Sequence, residues 1–261
     1  MTRLFIALLA LAVPTMAFAA SQTGPVEYKD RDTVLEGYRA VPQGAETARP
    51  GVLLVPDWMG VKDLERRIAD TLADMGYIAF VVDLYGKGVR PANSEQAATI
   101  ATKYKSDRGL MRERMHAALE TLKKVKTVDE KHIAAIGYCF GGTAVLELAR
   151  SGAPVAGVVS FHGGLETPTP QDAKNIKGKV LVLHGADDPF VPPKEVAAFQ
   201  EEMRNGKVDW QMNIYGNAVH AFTNPAAGAD NSKGAAYNEK AAKRSWEAMK
   251  LFFKEIFPTQ P

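Results

Sequence analysis

The sequence predicts an α/β protein: a mostly parallel central sheet with helices on both faces. Two observations carry this reading. The apolar runs at 51–55, 78–82, 155–161 and 179–184 are short and continuous, the pattern of strands buried on both faces. Between them lie amphipathic stretches of helical period, giving the alternation of strand and helix that builds a parallel sheet. In order, residues 34–41 read as an antiparallel entry strand and 51–55 as a buried one. Leu64, Ile68, Leu72 and Met75 mark a helix face before the strand at 78–82. Leu110, Met111, Met115, Ala118 and Leu122 mark a second helix. A strand ends at Gly137 and a helix follows over 143–150, with Val145, Leu146 and Ala149 on one face. After the strands at 155–161, 179–184 and 208–215, Ala242, Trp246, Met249, Phe253 and Ile256 give a last helix packed on the sheet.

The most telling stretch is Ile133-Ala134-Ala135-Ile136-Gly137-Tyr138-Cys139-Phe140-Gly141-Gly142, which sets the chain's single cysteine on a strand-to-helix turn. G-x-C-x-G is the cysteine form of the nucleophile elbow of the α/β-hydrolase fold. A nucleophile held in a strained backbone brings the residues two before and two after it together, so both must lack side chains. The turn also places the sulfur at a helix N-terminus, where the dipole favours thiolate. Taken alone the motif is equally that of a small buried cysteine.

Partners follow in the order nucleophile, acid, histidine. The strand at 179–184 runs into Asp187-Asp188, placing an acidic pair at a strand's C-terminal end, where open α/β sheets build their sites. One aspartate is the candidate acid and the other a turn or capping residue. His220 lies in the loop after the strand at 208–215. Of the other histidines, His116 reads as a surface residue of an amphipathic helix and His132 as a cap at the elbow strand. His162 and His184 end strands near the site, which fits a supporting role or packing.

Together these segments resemble the dienelactone hydrolase family of cysteine α/β-hydrolases over about residues 28–256. The resemblance is carried by Gly-Tyr-Cys-Phe-Gly-Gly at 137–142, Gly-Ala-Asp-Asp-Pro-Phe-Val-Pro at 185–192 and Val-His-Ala-Phe at 219–222. Pro-Asp-Trp-Met-Gly-Val at 56–61 and the segments Gly76-Tyr77 and Asp83-Leu84-Tyr85 also fit. It implies the triad Cys139, Asp188 and His220, with Asp188 rather than Asp187 as the acid. It further implies that Asp57, where the family commonly has glutamate, contacts the resting cysteine. Basic residues near the Asp-Leu-Tyr segment and after the histidine bind a substrate carboxylate in this family. Lys87 and Arg90 meet the first requirement, and Tyr85 is a candidate pocket residue. No basic side chain follows in Ala221-Phe222-Thr223-Asn224, which argues against the family's namesake substrate.

The chemistry expected is acyl transfer through a thioester, making the protein a carboxymethylenebutenolidase-like carboxylic ester or lactone hydrolase. His220, oriented by Asp188, takes the thiol proton and the thiolate attacks the carbonyl. The backbone N–H groups of Phe140 and Trp58 are the expected oxyanion donors. A thiolate leaves more readily than an alkoxide or amide, so enolate and phenolate leaving groups are favoured and amides are not. The rival readings are a thioesterase or other acyl hydrolase on the same scaffold, and a catalytically silent exported binding protein.

Composition is consistent with this. The chain has 261 residues, formal net charge +2 and no charge block or repeat, so neither nucleic acid nor an anionic membrane surface is an expected partner. Arg3, the apolar run 4–16 and Ala17-Phe18-Ala19 form a signal peptide over 1–19, leaving 20–261 as one domain exported to the periplasm or secreted. No stable membrane association is expected after leader cleavage, and a monomer or dimer fits. A single cysteine forms no disulfide within the chain, so in an oxidising compartment its retention favours a functional role. With no phosphate fingerprint, Cys/His cluster or HExxH, neither cofactor nor metal is expected.

Overall fold

The computed structural model describes residues 23–257; the expected signal peptide lies outside them. Eight strands form one sheet in the order β1-β2-β4-β3-β5-β6-β7-β8. They are β1 (Gly24–Asp30), β2 (Thr33–Ala40), β3 (Arg49–Val55), β4 (Ile78–Val81), β5 (Val128–Tyr138), β6 (Gly157–Phe161), β7 (Lys179–Gly185) and β8 (Trp210–Tyr215). β1 and β2 form an antiparallel hairpin, and β2 adds antiparallel to β4. From β4 to β8 every pairing is parallel. The α/β-hydrolase fold expected from the sequence is therefore the fold observed.

Six α-helices cover the two faces: α1 (Asp63–Asp74), α2 (Ser94–Ser106), α3 (Arg108–Lys123), α4 (Phe140–Arg150), α5 (Pro193–Asn205) and α6 (Glu239–Ile256). Side chains alternate across the pleat, so each central strand feeds both cores. Leu53 and Val55 of β3, with Val180 and Val182 of β7, pack under α2–α5 beside Met111, Met115, Val145 and Phe199. Val52, Leu54, Leu181 and Leu183 face α1 and α6 beside Leu72, Met249 and Phe253. This double burial is why these strands read as unbroken apolar runs.

β1 and α2 were not expected. β1 is an edge strand whose outward positions carry Glu27 and Lys29, and its buried contact is Tyr28. That tyrosine donates to the Asp83 carbonyl at 2.8 Å and stacks edge-on against Phe80. α2 buries only Ala97, Ala101 and Tyr104, too thin a stripe to register as an apolar period. Its start is fixed by Asn93, whose side chain accepts the Gln96 N–H. His116 is half-buried rather than at the surface, with Nε2 2.9 Å from Ser151 Oγ where α3 meets α4. His132 lies within β5 and pairs with Asp129 at 2.7 Å.

Candidate active site

Three strand ends converge at the C-terminal edge of the sheet. β5 ends in the elbow, where Cys139 has φ 55° and ψ −116°. The backbone N–H of Cys139 donates to Phe161 O at 3.0 Å, tying the turn to β6. A Cβ on Gly137 would lie 2.1 Å from Gly141 O, so the expected close approach of these two glycines is present. A Cβ on Gly141 itself would strike Val55 O at 2.3 Å, a contact with the end of β3 that the motif alone does not reveal.

After β7, Asp188 is buried while its neighbour Asp187 is exposed. Asp188 Oδ1 accepts the Phe190 N–H at 2.9 Å, and Oδ2 lies 2.8 Å from His220 Nδ1. After β8, the His220 loop is clamped at both backbone atoms. Its N–H donates to Gly234 O at 3.1 Å and its carbonyl accepts the Ala236 N–H at 3.0 Å. His220 Nε2 then lies 3.0 Å from Cys139 Sγ. The three side chains come from the ends of β5, β7 and β8, with β6 between the first two in the sheet. Burial opposes charge on His220, but hydrogen bonds to Asp188 and Cys139 outweigh it and raise its pKa to about 10. Phe190 covers the outer edge of the His220 ring at 5.3 Å, although its own ring is exposed.

The sulfur opens on a cavity of about 840 Å³, whose lining includes Phe140, Trp58, Asp57, Thr223 and Phe190. Asp57 Oδ1 accepts the Met59 N–H at 2.8 Å and its carbonyl accepts the Gly60 N–H. The expected contact of Asp57 with the resting cysteine is absent among the described hydrogen bonds. The short side chain instead turns back on its own loop, and Sγ is met by His220. Tyr85 does not line the cavity but lies behind it. Its hydroxyl donates to Trp58 O at 2.9 Å and its ring packs against Phe140 and Tyr104.

Lys87 is also displaced from its expected place. It is exposed, paired with Glu27 of β1 and Glu36 of β2, and is not part of the cavity lining. Arg90 likewise spends its donors on Val61 O, Gly86 O and Val89 O, with Asp83 at 3.6 Å. Both cations are held by partners from the entry strands and loops, which no local motif encodes. His162 sits beside the triad with φ 40° and its ring edge-on to His220 at 5.3 Å. Its Nε2 lies 2.8 Å from Thr223 Oγ1, and burial holds its pKa well below the ordinary value, so it is neutral. His184 is buried and lowered in the same way.

One residue of the cavity wall has no counterpart in the sequence reading. Glu65, in the first turn of α1, is buried, and its Oε2 accepts the Lys62 N–H at 3.0 Å. Desolvation, aided by the nearby Asp57 charge, raises its pKa to about 7. The only local signal is its place three residues after the residue that caps the helix. Among the described residues no group of three or more His, Cys, Asp or Glu side chains is arranged to hold a metal ion. No described helix is long and apolar enough to cross a membrane.

A mostly parallel sheet with a Gly-x-Cys-x-Gly elbow, and with an acid and a histidine at later strand ends, has the architecture of an α/β-hydrolase. Residues 35–257 match the model of the dienelactone hydrolase family, and the chain belongs to that family. The solved structure described as m3DLH is 41% identical, with TM-score 0.87 over 91% of this chain and 99% of its own. A dienelactone hydrolase-like promiscuous phosphotriesterase, P91, from metagenomic libraries is 40% identical, with TM-score 0.85 over the same shares. A putative carboxymethylenebutenolidase of Aquifex aeolicus is 28% identical over 88% of this chain and 96% of its own length. The protein is thus a hydrolase of this family.

Proposed function

We propose that the protein is an exported hydrolase of carboxylic esters or lactones that works through a thioester on Cys139. The observation that carries this is the relay itself: Sγ to Nε2 at 3.0 Å and Nδ1 to Oδ2 at 2.8 Å, open to a cavity. With its pKa raised to about 10, the His220 imidazole is suited to take the thiol proton and hold it beside the sulfur. The thiolate attacks the carbonyl carbon, and the N–H groups of Phe140 and Trp58 donate to the oxyanion. Collapse breaks the bond to the leaving oxygen, which takes the proton from His220. Water, deprotonated by His220, then cleaves the thioester and releases the acid. Enol and phenol esters suit this sequence because their oxygens leave in competition with sulfur.

Substrate carboxylate binding at Lys87 or Arg90 forms no part of this proposal, since both are held by partners within the protein. The apolar leader before the described residues supports export to the periplasm or beyond. A mature chain beginning at Ala20 in the periplasmic fraction would support it, and an intact Met1 in the cytoplasm would end it. A second reading, turnover of aryl phosphotriesters at the same sulfur, draws on the relative described as a promiscuous phosphotriesterase. The test is a screen of the mature protein against aryl esters, enol lactones, thioesters and an aryl phosphotriester, with a mass-spectrometric search for an acylated Cys139. Turnover without any adduct on Cys139, and undiminished in Cys139→Ala, would rule the thioester out. A silent binding protein would hydrolyse none of them and would keep its ligand after alkylation.

A further inference from the structure

The cavity does not stop at the sulfur. It runs past the end of β5, between Leu64 and Ile68 of α1 and Trp246 of α6, onto the opposite face of the sheet from α4. The polar side chains in this lobe are Tyr138, Ser245 and Glu65, and the described side-chain hydrogen bond of Glu65 engages Oε2 alone. We propose that the lobe between α1 and α6 receives the uncharged part of the substrate and that the Glu65 carboxylate in its wall selects against anionic substrates. The proposal takes from the preceding reading only that Cys139 is the reacting atom.

The charged neighbours bear this out. From the loop after β3, Asp57 adds a second carboxylate to the same cavity, and its charge is among the causes that raise the pKa of Glu65. From β5, burial holds Tyr138 neutral by pushing its pKa well up. α6 presents Ala242, Ser245 and Trp246, none of them charged. Two cations, Lys62 at the start of α1 and Lys105 at the end of α2, also line the cavity, and both are exposed to solvent that screens their charge. An anionic substituent entering the lobe therefore meets negative charge where water does not fully screen it. With a pKa of about 7, the Glu65 carboxyl passes from neutral to charged across the range in which the enzyme would work. Discrimination against anions should strengthen over the same range.

Because Cys139 is the chain's single cysteine, its alkylation reads the potential at the site without needing the natural substrate. Iodoacetamide and iodoacetate are nearly the same size and differ in charge. The ratio of their rates cancels the thiolate population, and comparison with Glu65→Gln cancels the attraction of the His220 imidazolium. Glutamine keeps the carbonyl oxygen that accepts the Lys62 N–H, so the start of α1 is preserved. In the wild type the iodoacetate-to-iodoacetamide ratio should fall roughly three- to tenfold from pH 6 to pH 8, and in Glu65→Gln this fall should disappear. The kcat/KM ratio of p-nitrophenyl butyrate to mono-p-nitrophenyl succinate should show the same Glu65-dependent rise. A rate ratio unmoved both by pH and by Glu65→Gln overturns the proposal while leaving the thioester reading intact. A Cys139 inert to both reagents overturns both.

Discussion

The two ends of α4 hold two polar clusters built on opposite plans. At the N-terminus Cys139 is held in a strained backbone, half-buried and facing a cavity. At the C-terminus Arg150 is fully buried, and all three guanidinium nitrogens are hydrogen-bonded. Nε and Nη2 donate to Glu202 at 2.8 and 2.7 Å, Nη1 to Glu147 at 3.0 Å, and Nη2 also to Leu165 O at 2.8 Å. Arg112 closes the far side, bonding Glu147 and Asp172, each at 2.8 Å. The closed cluster is buried away from any ligand, so its consequence is positional: it ties α3, α4 and α5 together. The open cluster leaves the Cys139 sulfur facing a cavity. On the proposed reading, chemistry belongs to the end left incomplete, and stability to the end that is closed.

The largest effects should separate the two ends cleanly. Cys139→Ala should abolish p-nitrophenyl acetate hydrolysis while changing stability by roughly 1–2 kcal/mol at most, because sulfur to methyl loses little packing. Asp188→Asn should lower kcat on the order of 10⁴-fold by losing the productive His220 tautomer, the cost seen in the serine-protease triad. Asp187→Asn, at an exposed turn, should keep most activity and cost roughly 1 kcal/mol or less. Comparable activity in the two aspartate variants would mean that neither supports His220. As pH rises through about 10, His220 loses its proton and can no longer protonate the leaving oxygen, so kcat should fall there.

At the closed end, Arg150→Ala leaves Glu147 and Glu202 buried without their shared cation. It should destabilise by about 3–5 kcal/mol. Its test is denaturant unfolding alongside activity per folded molecule, which should stay near wild type. Loss of catalysis in a fully folded Arg150→Ala protein would show that the two ends of the helix are coupled, contrary to the comparison.

The sequence disclosed the open end and concealed the closed one. The elbow, the 185–192 loop and the His220 loop are legible because each depends on local backbone demands. Gly137 is required by a contact with Gly141 four residues on, and the acid and histidine sit where strands stop. Arg150, Glu147 and Glu202 read as ordinary helix charges, since their burial is created by the docking of α5 on α4. Glu65 is hidden for the same reason: its wall position exists only once the Asp57 loop, α1 and α6 are brought around one cavity. Lys87 misled in the reverse direction. Its basic character invited a substrate role, but Glu27 and Glu36, brought close by the entry hairpin, take it up.

Glu65 lies between the two plans, buried like Glu147 but lacking a fully satisfied partner set. Its folded-state pKa of about 7 lies above the ordinary 4.5, so the folded protein favours the neutral acid. The stability it contributes is complete below pH 4.5 and is lost as pH rises toward 7. Above that, the buried carboxylate is a burden that glutamine removes. Glu65→Gln should therefore gain about 1–3 kcal/mol relative to wild type between pH 5 and pH 8. Thermal melts of both proteins at the two pH values check the sign, and a difference that shrinks with rising pH would contradict it.

The smallest expected effect probes how far the open end depends on support from behind. Tyr85 does not itself line the cavity, yet its hydroxyl holds the Trp58 carbonyl at 2.9 Å and its ring backs Phe140 at 5.7 Å. Both proposed oxyanion donors thus rest on one side chain. Burial pushes its pKa well up, so the hydroxyl keeps its proton and remains a donor. Tyr85→Phe preserves the ring and deletes that single bond, which should cost about 0.5–1.5 kcal/mol of stability. Removing an oxyanion donor outright costs roughly 10²–10³ in kcat, and loosening one by a fraction of an ångström should cost much less, about three- to tenfold. The loss should fall on kcat and spare KM, because the donor acts on the oxyanion formed after binding. A Tyr85→Phe enzyme that melts earlier but turns over at the wild-type rate would show that Trp58 is held by its loop alone. Asp57, which already accepts the Met59 and Gly60 N–H groups, would then be the residue that sets that donor.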